Sequence, residues 1–134
     1  MPDNGLVSVQ SRFATRETVD RLLTALAERK LMVFARIDHA AGAASVGLPL
    51  RPNELVIFGN PKGGTALMQD RQSAGIDLPL KALIWEDPEN RTWLTYDDPA
   101  WIAQRHSLGP SSAPAVKAMT ELLRAIVHNA AGNQ

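Results

Sequence analysis

Two alternating segments joined by a run of turn formers constrain this chain more than any other feature. Positions 80–86 and 91–96 each alternate with the period of a β-strand, and Asp87-Pro88-Glu89-Asn90 between them favours a turn. The pair reads as an antiparallel hairpin. With a four-residue loop, Glu86 falls opposite Arg91 and Leu83 opposite Leu94, which puts Leu83, Trp85, Leu94 and Tyr96 on one face. That face is expected to lie under helices, with Trp93 on the opposite face from Trp85.

Three more strands and several helices can be read around the hairpin. Residues 6–13 alternate as a first strand, and residues 31–38 form a second that is apolar on both faces at its start. Between them Thr15 can cap a helix whose Val19, Leu22, Leu23 and Leu26 recur at helical spacing, ending near Lys30. The small-residue stretch 40–44 fits a short helix or a loop. A third strand is expected at 54–58, bounded by Gly59-Asn60-Pro61, and a short helix at 65–72 after Gly63-Gly64. Asp98-Pro99 places a cap before a proline at the first helical position. The last helix starts at Ser112 or Ala113, carries Val116, Met119, Leu122, Leu123, Ile126 and Val127 on one stripe, and stops before Gly132. This order predicts an α+β fold of β-α-β4-α type: a five-stranded, mostly antiparallel sheet with helices on one face. Such a sheet leaves edges and an open face, for which dimerisation is a natural cover.

A chain of 134 residues is the size of one domain, with 1–5 and 131–134 expected as flexible ends. Fourteen basic residues balance fourteen acidic ones without a basic run, so nucleic acid is not an expected partner. The polar opening Met1-Pro2-Asp3-Asn4-Gly5 lacks the pattern of a signal peptide, and no apolar run approaches the roughly 18 residues of a membrane span. No membrane partner is therefore expected. There is no cysteine, hence no disulfide or thiolate chemistry, which suits the cytoplasm.

The segment from Ile37 to Tyr96 resembles the family called domain of unknown function 302. The resemblance is carried by Ile37-Asp38-His39, Gly47-Leu48, Phe58-Gly59-Asn60-Pro61-Lys62 with Gly64-Thr65, Ile76-Asp77-Leu78-Pro79-Leu80-Lys81, Trp85-Glu86-Asp87 and Tyr96. It implies the β-α-β4-α sheet and a homodimer. It implies no catalytic activity and supplies no catalytic residues to transfer.

Candidate chemistry rests on weaker patterns. Residues 58–65 run from strand through a Gly-rich turn into a helix start, a context in which backbone N–H groups bind anions. Thr65 stands where a phosphate loop would carry its lysine, although Lys62 could reach an anion from within the loop. The alternative is a tight turn using the positive φ angles that glycine permits. His39, Lys62, Lys81 and Glu86 bring titratable groups from four strand ends or turns, and with Gly64 and Thr65 they form the candidate ligand site. The competing reading makes Asp38 and His39 a strand cap and the others solvated residues. No metal site is expected, because His39, His106 and His128 are widely spaced and no metal motif occurs. No organic cofactor is expected either. Trp85, Trp93 and Trp101 could stack on a planar ligand, but aromatic residues at such positions more often serve a core or interface.

The expected function is a non-catalytic homodimeric module that binds a small ligand or is regulatory, with a small anionic ligand as one candidate. A second expectation is a cofactor-independent enzyme using His39 as acid or base, with Lys62 or Lys81 holding an anionic substrate. A third is a protein-partner module. A pocket containing His39 and Lys81 favours the enzyme, whereas a flat apolar face favours the partner module.

Overall fold

A computed structural model of the chain describes residues 4–133. Within them, β1 (Leu6–Ser11), β2 (Met32–Asp38), β3 (Asn53–Gly59), β4 (Leu80–Glu86) and β5 (Thr92–Asp97) form one sheet in the order β1-β5-β4-β3-β2. Every neighbouring pair is antiparallel. The helices are α1 (Thr15–Glu28), α2 (His39–Ser45), α3 (Pro61–Asp70), α4 (Pro99–Arg105) and α5 (Ala113–Ala131), with 3-10 turns at Gln72–Asp77 and Pro110–Ser112. The chain therefore has the α+β fold expected from its periodicities.

Although β1 and β2 are consecutive in sequence, they occupy opposite edges, so α1 must cross the sheet. Its 14 residues span ~21 Å at about 1.5 Å per residue, close to the ~19 Å of four inter-strand spacings. Val19, Leu22 and Leu26 of α1 are buried, and α1 packs against α5, β4 and β5. From the sheet, Val56, Phe58, Ala82, Ile84 and Leu94 complete this core and are essentially inaccessible to solvent. Burial of each large side chain contributes about 1.5–3 kcal/mol.

The hairpin register differs from the sequence expectation by one residue. Glu86 pairs with Thr92, Trp85 with Trp93, Ile84 with Leu94 and Leu83 with Thr95. The cause is a three-residue loop, Pro88-Glu89-Asn90, closed by Asp87 and Arg91. Asn90 N–H donates to the Asp87 carbonyl at 3.0 Å, Asp87 N–H donates to the Arg91 carbonyl at 2.9 Å, and Asn90 takes φ +63°. This is a type I turn followed by a left-handed residue. Because side chains alternate with period 2, the one-residue change moves Leu83 and Trp85 off the helix-covered face. Leu94 and Tyr96 stay on that face as expected, and Ile84 joins them. Trp85 and Trp93 share the open face, with ring centroids 6.4 Å apart.

Two further elements depart from or complete the expectation. The helix expected at 65–72 begins at Pro61, because Asn60-Pro61 is a cap followed by a proline at the first helical position. The Asn60 side chain accepts the Lys62 N–H. Gly63 and Gly64 thus lie in the first turn of α3 and not in a tight turn with positive φ. The undecided stretch 40–44 is helical, since Asp38 Oδ1 accepts the Ala41 N–H at 2.8 Å and caps α2.

Of the expected flexible ends, residues 1–3 and 134 lie outside the described residues. Gly5 is buried and its carbonyl accepts the Asp98 N–H at 2.8 Å. Ala131 is buried, and Gly132, at φ +83°, ends α5 in the left-handed conformation. Gly132 and Asn133 N–H groups bond back to Asn129 and His128, closing the helix terminus.

Candidate functional site

The strand–helix junction at Gly59-Asn60-Pro61 opens onto a cavity of about 380 Å³. Its floor and walls come from separate parts of the chain: Leu31 and Phe34 beside and on β2, Met68 on α3, Leu78 to Leu80 leading into β4, and Met119 and Leu122 on α5. The lining is predominantly apolar. Lys62, Asn60 and the α3 backbone at Gly63 and Gly64 stand among the lining groups. A Cβ added at Gly63 would meet Met119 at 3.6 Å and one at Gly64 would meet Leu78 at 3.8 Å, ordinary van der Waals separations, so neither position requires glycine. The volume and apolar lining with a few polar groups are those of a small-molecule pocket.

The candidate residues named from sequence divide between the two ends of the sheet. Lys62 and Gly64 line the cavity. Thr65 directs its hydroxyl to the Pro61 carbonyl at 2.7 Å, closing a helical turn. Lys81, opposite Ile57 on the open face, donates from Nζ to the Asp77 carbonyl at 3.0 Å. Glu86 lies five residues along β4 from Lys81, ~17 Å away by strand rise, and pairs with Arg51 at 3.5 Å. His39 is exposed at the start of α2, beside Asp38, whose strand partner is Glu54. His39 therefore belongs to the Glu86 end of the sheet and Lys62 to the other. The fold does not bring His39, Lys62, Lys81 and Glu86 into one site.

A polar cluster that sequence reasoning missed lies under the 3-10 turn. Asp77 Oδ2 is 2.6 Å from His106 Nε2, and His106 Nδ1 is 2.9 Å from Ser73 Oγ. Arg105 Nη1 donates to both Asp77 oxygens at 2.9 and 3.2 Å. The His106 side chain is largely enclosed, whereas Ser73 is exposed. These contacts tie Gln72–Asp77 to the end of α4. Asp77 and Lys81 fall in the recognisable 76–81 motif, but His106 is 29 residues from Asp77 and no spacing rule links them.

The open-face tryptophans have their polar atoms satisfied. Trp85 Nε1 donates to Thr95 Oγ1 at 2.9 Å and Trp93 Nε1 to Asp87 Oδ2 at 2.8 Å. Burial opposes ionisation of Asp87, but hydrogen bonds from Trp93, the Arg91 backbone and side chain, and the Glu89 N–H outweigh it and hold the carboxyl at about 2. Trp101 packs against Gly5, where an added Cβ would come within 2.3 Å of its ring, and carries the Arg105 guanidinium 5.5 Å from its ring centre. Among the described residues, no cluster of three or more His, Asp or Glu side chains is placed to hold a metal ion.

The model for the domain of unknown function DUF302 matches residues 7–126. The chain belongs to that family. A crystal structure of an uncharacterised conserved DUF302 protein from Bacillus stearothermophilus superposes with a TM-score of 0.83, covering 94% of this chain and 98% of that one. At 16% identity that likeness speaks to the fold alone.

Curated relatives of this DUF302 chain include a protein of Brucella suis biovar 1 (strain 1330) named fluoride-specific ion channel FluC 1. It is 51% identical over 131 residues, covering 98% of this chain and 52% of the relative. A protein of the same name from Brucella abortus biovar 1 (strain 9-941) is also 51% identical, with 48% of its length covered. The DUF302 chain spans about half the length of these relatives. Among its described residues, no helix is long and apolar enough to cross a membrane.

Proposed function

We propose that this chain is a homodimeric ligand-binding module whose ligand has an apolar body and an anionic group. The observation that supports this reading is the cavity of about 380 Å³ between β2, α3 and α5, with apolar walls and Lys62 among its lining. The apolar body would gain from leaving water, and the ammonium of Lys62 would favour a carboxylate or phosphate at the opening. The enzyme reading has less support, because His39 and Lys81 do not share this cavity.

Native mass spectrometry of gently purified protein tests for a retained ligand, and titration with decanoate, decanol and inorganic phosphate tests its chemistry. The expectation is that decanoate raises the unfolding midpoint, by about 2.7 kcal/mol of stability at a hundredfold excess over its Kd. Decanol should do so more weakly and phosphate not measurably. Ala118→Phe, which places a ring at the cavity wall, should abolish the effect, and Lys62→Met should reduce it for the acid but not for the alcohol. Equal insensitivity of the wild type to decanoate and to a retained-ligand search rejects the reading.

The Brucella relatives favour another, regulatory reading. About half of each lies outside the match, and each is named for a fluoride channel. The module would then act beside a membrane channel formed by the remainder of such a protein. Fluoride efflux by the Brucella suis relative, with and without the half matching this chain, tests it. An altered rate is expected, and an unchanged rate rejects regulation.

A further inference from the structure

We propose that two copies of this chain join through the free edge of β2, extending the antiparallel sheet across a two-fold axis. This inference rests on the homodimer reading above and names its surface. Nine large apolar residues are exposed among the described residues, and seven of them lie in 32–50. Met32, Val33, Phe34 and Ile37 are on β2, while Val46, Leu48 and Leu50 continue from α2 toward β3. All seven residues of β2 are exposed, which is unusual for a strand with apolar side chains on both faces. The seven apolar residues, from 38% to 70% accessible, present on the order of several hundred Å² of apolar surface. That approaches the ~800 Å² each partner contributes to a standard interface.

β2 carries one of the usual guards of an edge strand, a β-bulge between Val33 and Ala35, but lacks the others: it contains no proline, and its one basic side chain, Arg36, is held by Glu54 at 2.7 Å. The other edge differs: β1 alternates Ser8 and Gln10 outward on the open face, and Ser8 is engaged by Thr95 at 2.8 Å.

Charge selects a second copy as the occupant. An isologous contact must be self-complementary, with each end of the strand meeting the opposite end of its copy. Arg29 and Lys30 precede β2, whereas Asp38 closes it; Glu54 alongside is already paired with Arg36, so Asp38 carries the negative charge of that end. Antiparallel pairing about Phe34 or Ala35 brings the basic end of one strand to the acidic end of the other. It also lays the partner against Phe34, which is both an edge residue and a wall of the cavity.

Because the natural chain has no cysteine, single cysteines report the contact directly. In an antiparallel pair, residues near the two-fold axis come within the ~4.4–6.8 Å Cα separation of a disulfide. Sedimentation should show a wild-type dimer. Mild oxidation should cross-link at least one of Val33→Cys, Phe34→Cys and Ala35→Cys, but not Ser8→Cys, and Ile37→Arg should weaken the dimer at least tenfold. A dimer that fails to cross-link at 33–35, or that cross-links through position 8, overturns this surface and leaves the homodimer reading standing. A wild-type monomer at 100 μM, taken as about the upper range of a specific weak contact, overturns both.

Discussion

Asp87 receives hydrogen bonds from the Glu89 and Arg91 N–H groups, each 2.9 Å from Oδ1, and from Arg91 Nε and Trp93 Nε1 at 2.9 and 2.8 Å from Oδ2. Its carboxylate closes the loop that fixes the β4–β5 register and thereby decides which side chains enter the core. These donors lower its pKa from the ordinary 3.8 to about 2 despite burial. A carboxyl lowered by folding contributes stability above its unfolded value, and that contribution is lost as pH falls through the folded value. The unfolding midpoint should therefore drop between pH about 4 and about 2. Asp87→Asn should melt lower at neutral pH and lose less across that window, keeping only the parallel loss from Asp70, whose carboxyl is lowered by Ser112 and the Gly109 N–H. Thermal melts across that pH range check this, and parallel curves for variant and wild type would refute it. Sequence could identify Asp87 as a turn residue, but the choice between a four-residue and a three-residue loop depends on Asn90 entering the left-handed region, which local composition leaves open.

Element types were legible wherever periodicity extended over several residues, as in α1, α5 and all five strands. Boundaries were less legible where one residue pair has two meanings. Asp98-Pro99 and Asn60-Pro61 carry the same cap-proline chemistry, but the two glycines after Lys62 gave Asn60-Pro61 the composition of a turn. In the fold α3 packs against α5 and the 3-10 turn, and these glycines lie in its first turn. Asn60→Ala removes the acceptor for the Lys62 N–H and should cost about 1 kcal/mol in chemical denaturation. A change below a few tenths of that would show that packing, not the cap, sets the start of α3. The candidate site was legible in the same uneven way. Lys62 and Gly64 could be found because they follow a strand directly, whereas Phe34, Met119 and Leu122 reach the cavity from distant segments. The Asp77–His106 contact depends on how α4 returns beside the 3-10 turn, which no local pattern specifies.

At the scale of the whole molecule, the edge of β2 and the cavity meet at Phe34, so dimer formation and ligand binding should not be independent. A copy paired along β2 restricts the wall of the cavity, and a ligand held there restricts the edge that the copy must match. If both proposed contacts exist, each changes the free energy of the other by the same amount, since linkage between equilibria is reciprocal. Sedimentation with and without saturating decanoate gives the change in dimer affinity. Calorimetric titration of decanoate above and below the dimer dissociation constant gives the change in ligand affinity. The two factors should agree and fall in the 5–150-fold range that ~1–3 kcal/mol of coupling produces. Ala118→Phe should remove the ligand's influence while leaving the dimer, because residue 118 lines the cavity on α5 and is not part of the β2 edge. A decanoate affinity that ignores protomer concentration would show that Phe34 serves the two surfaces separately, with the cavity complete in a single copy.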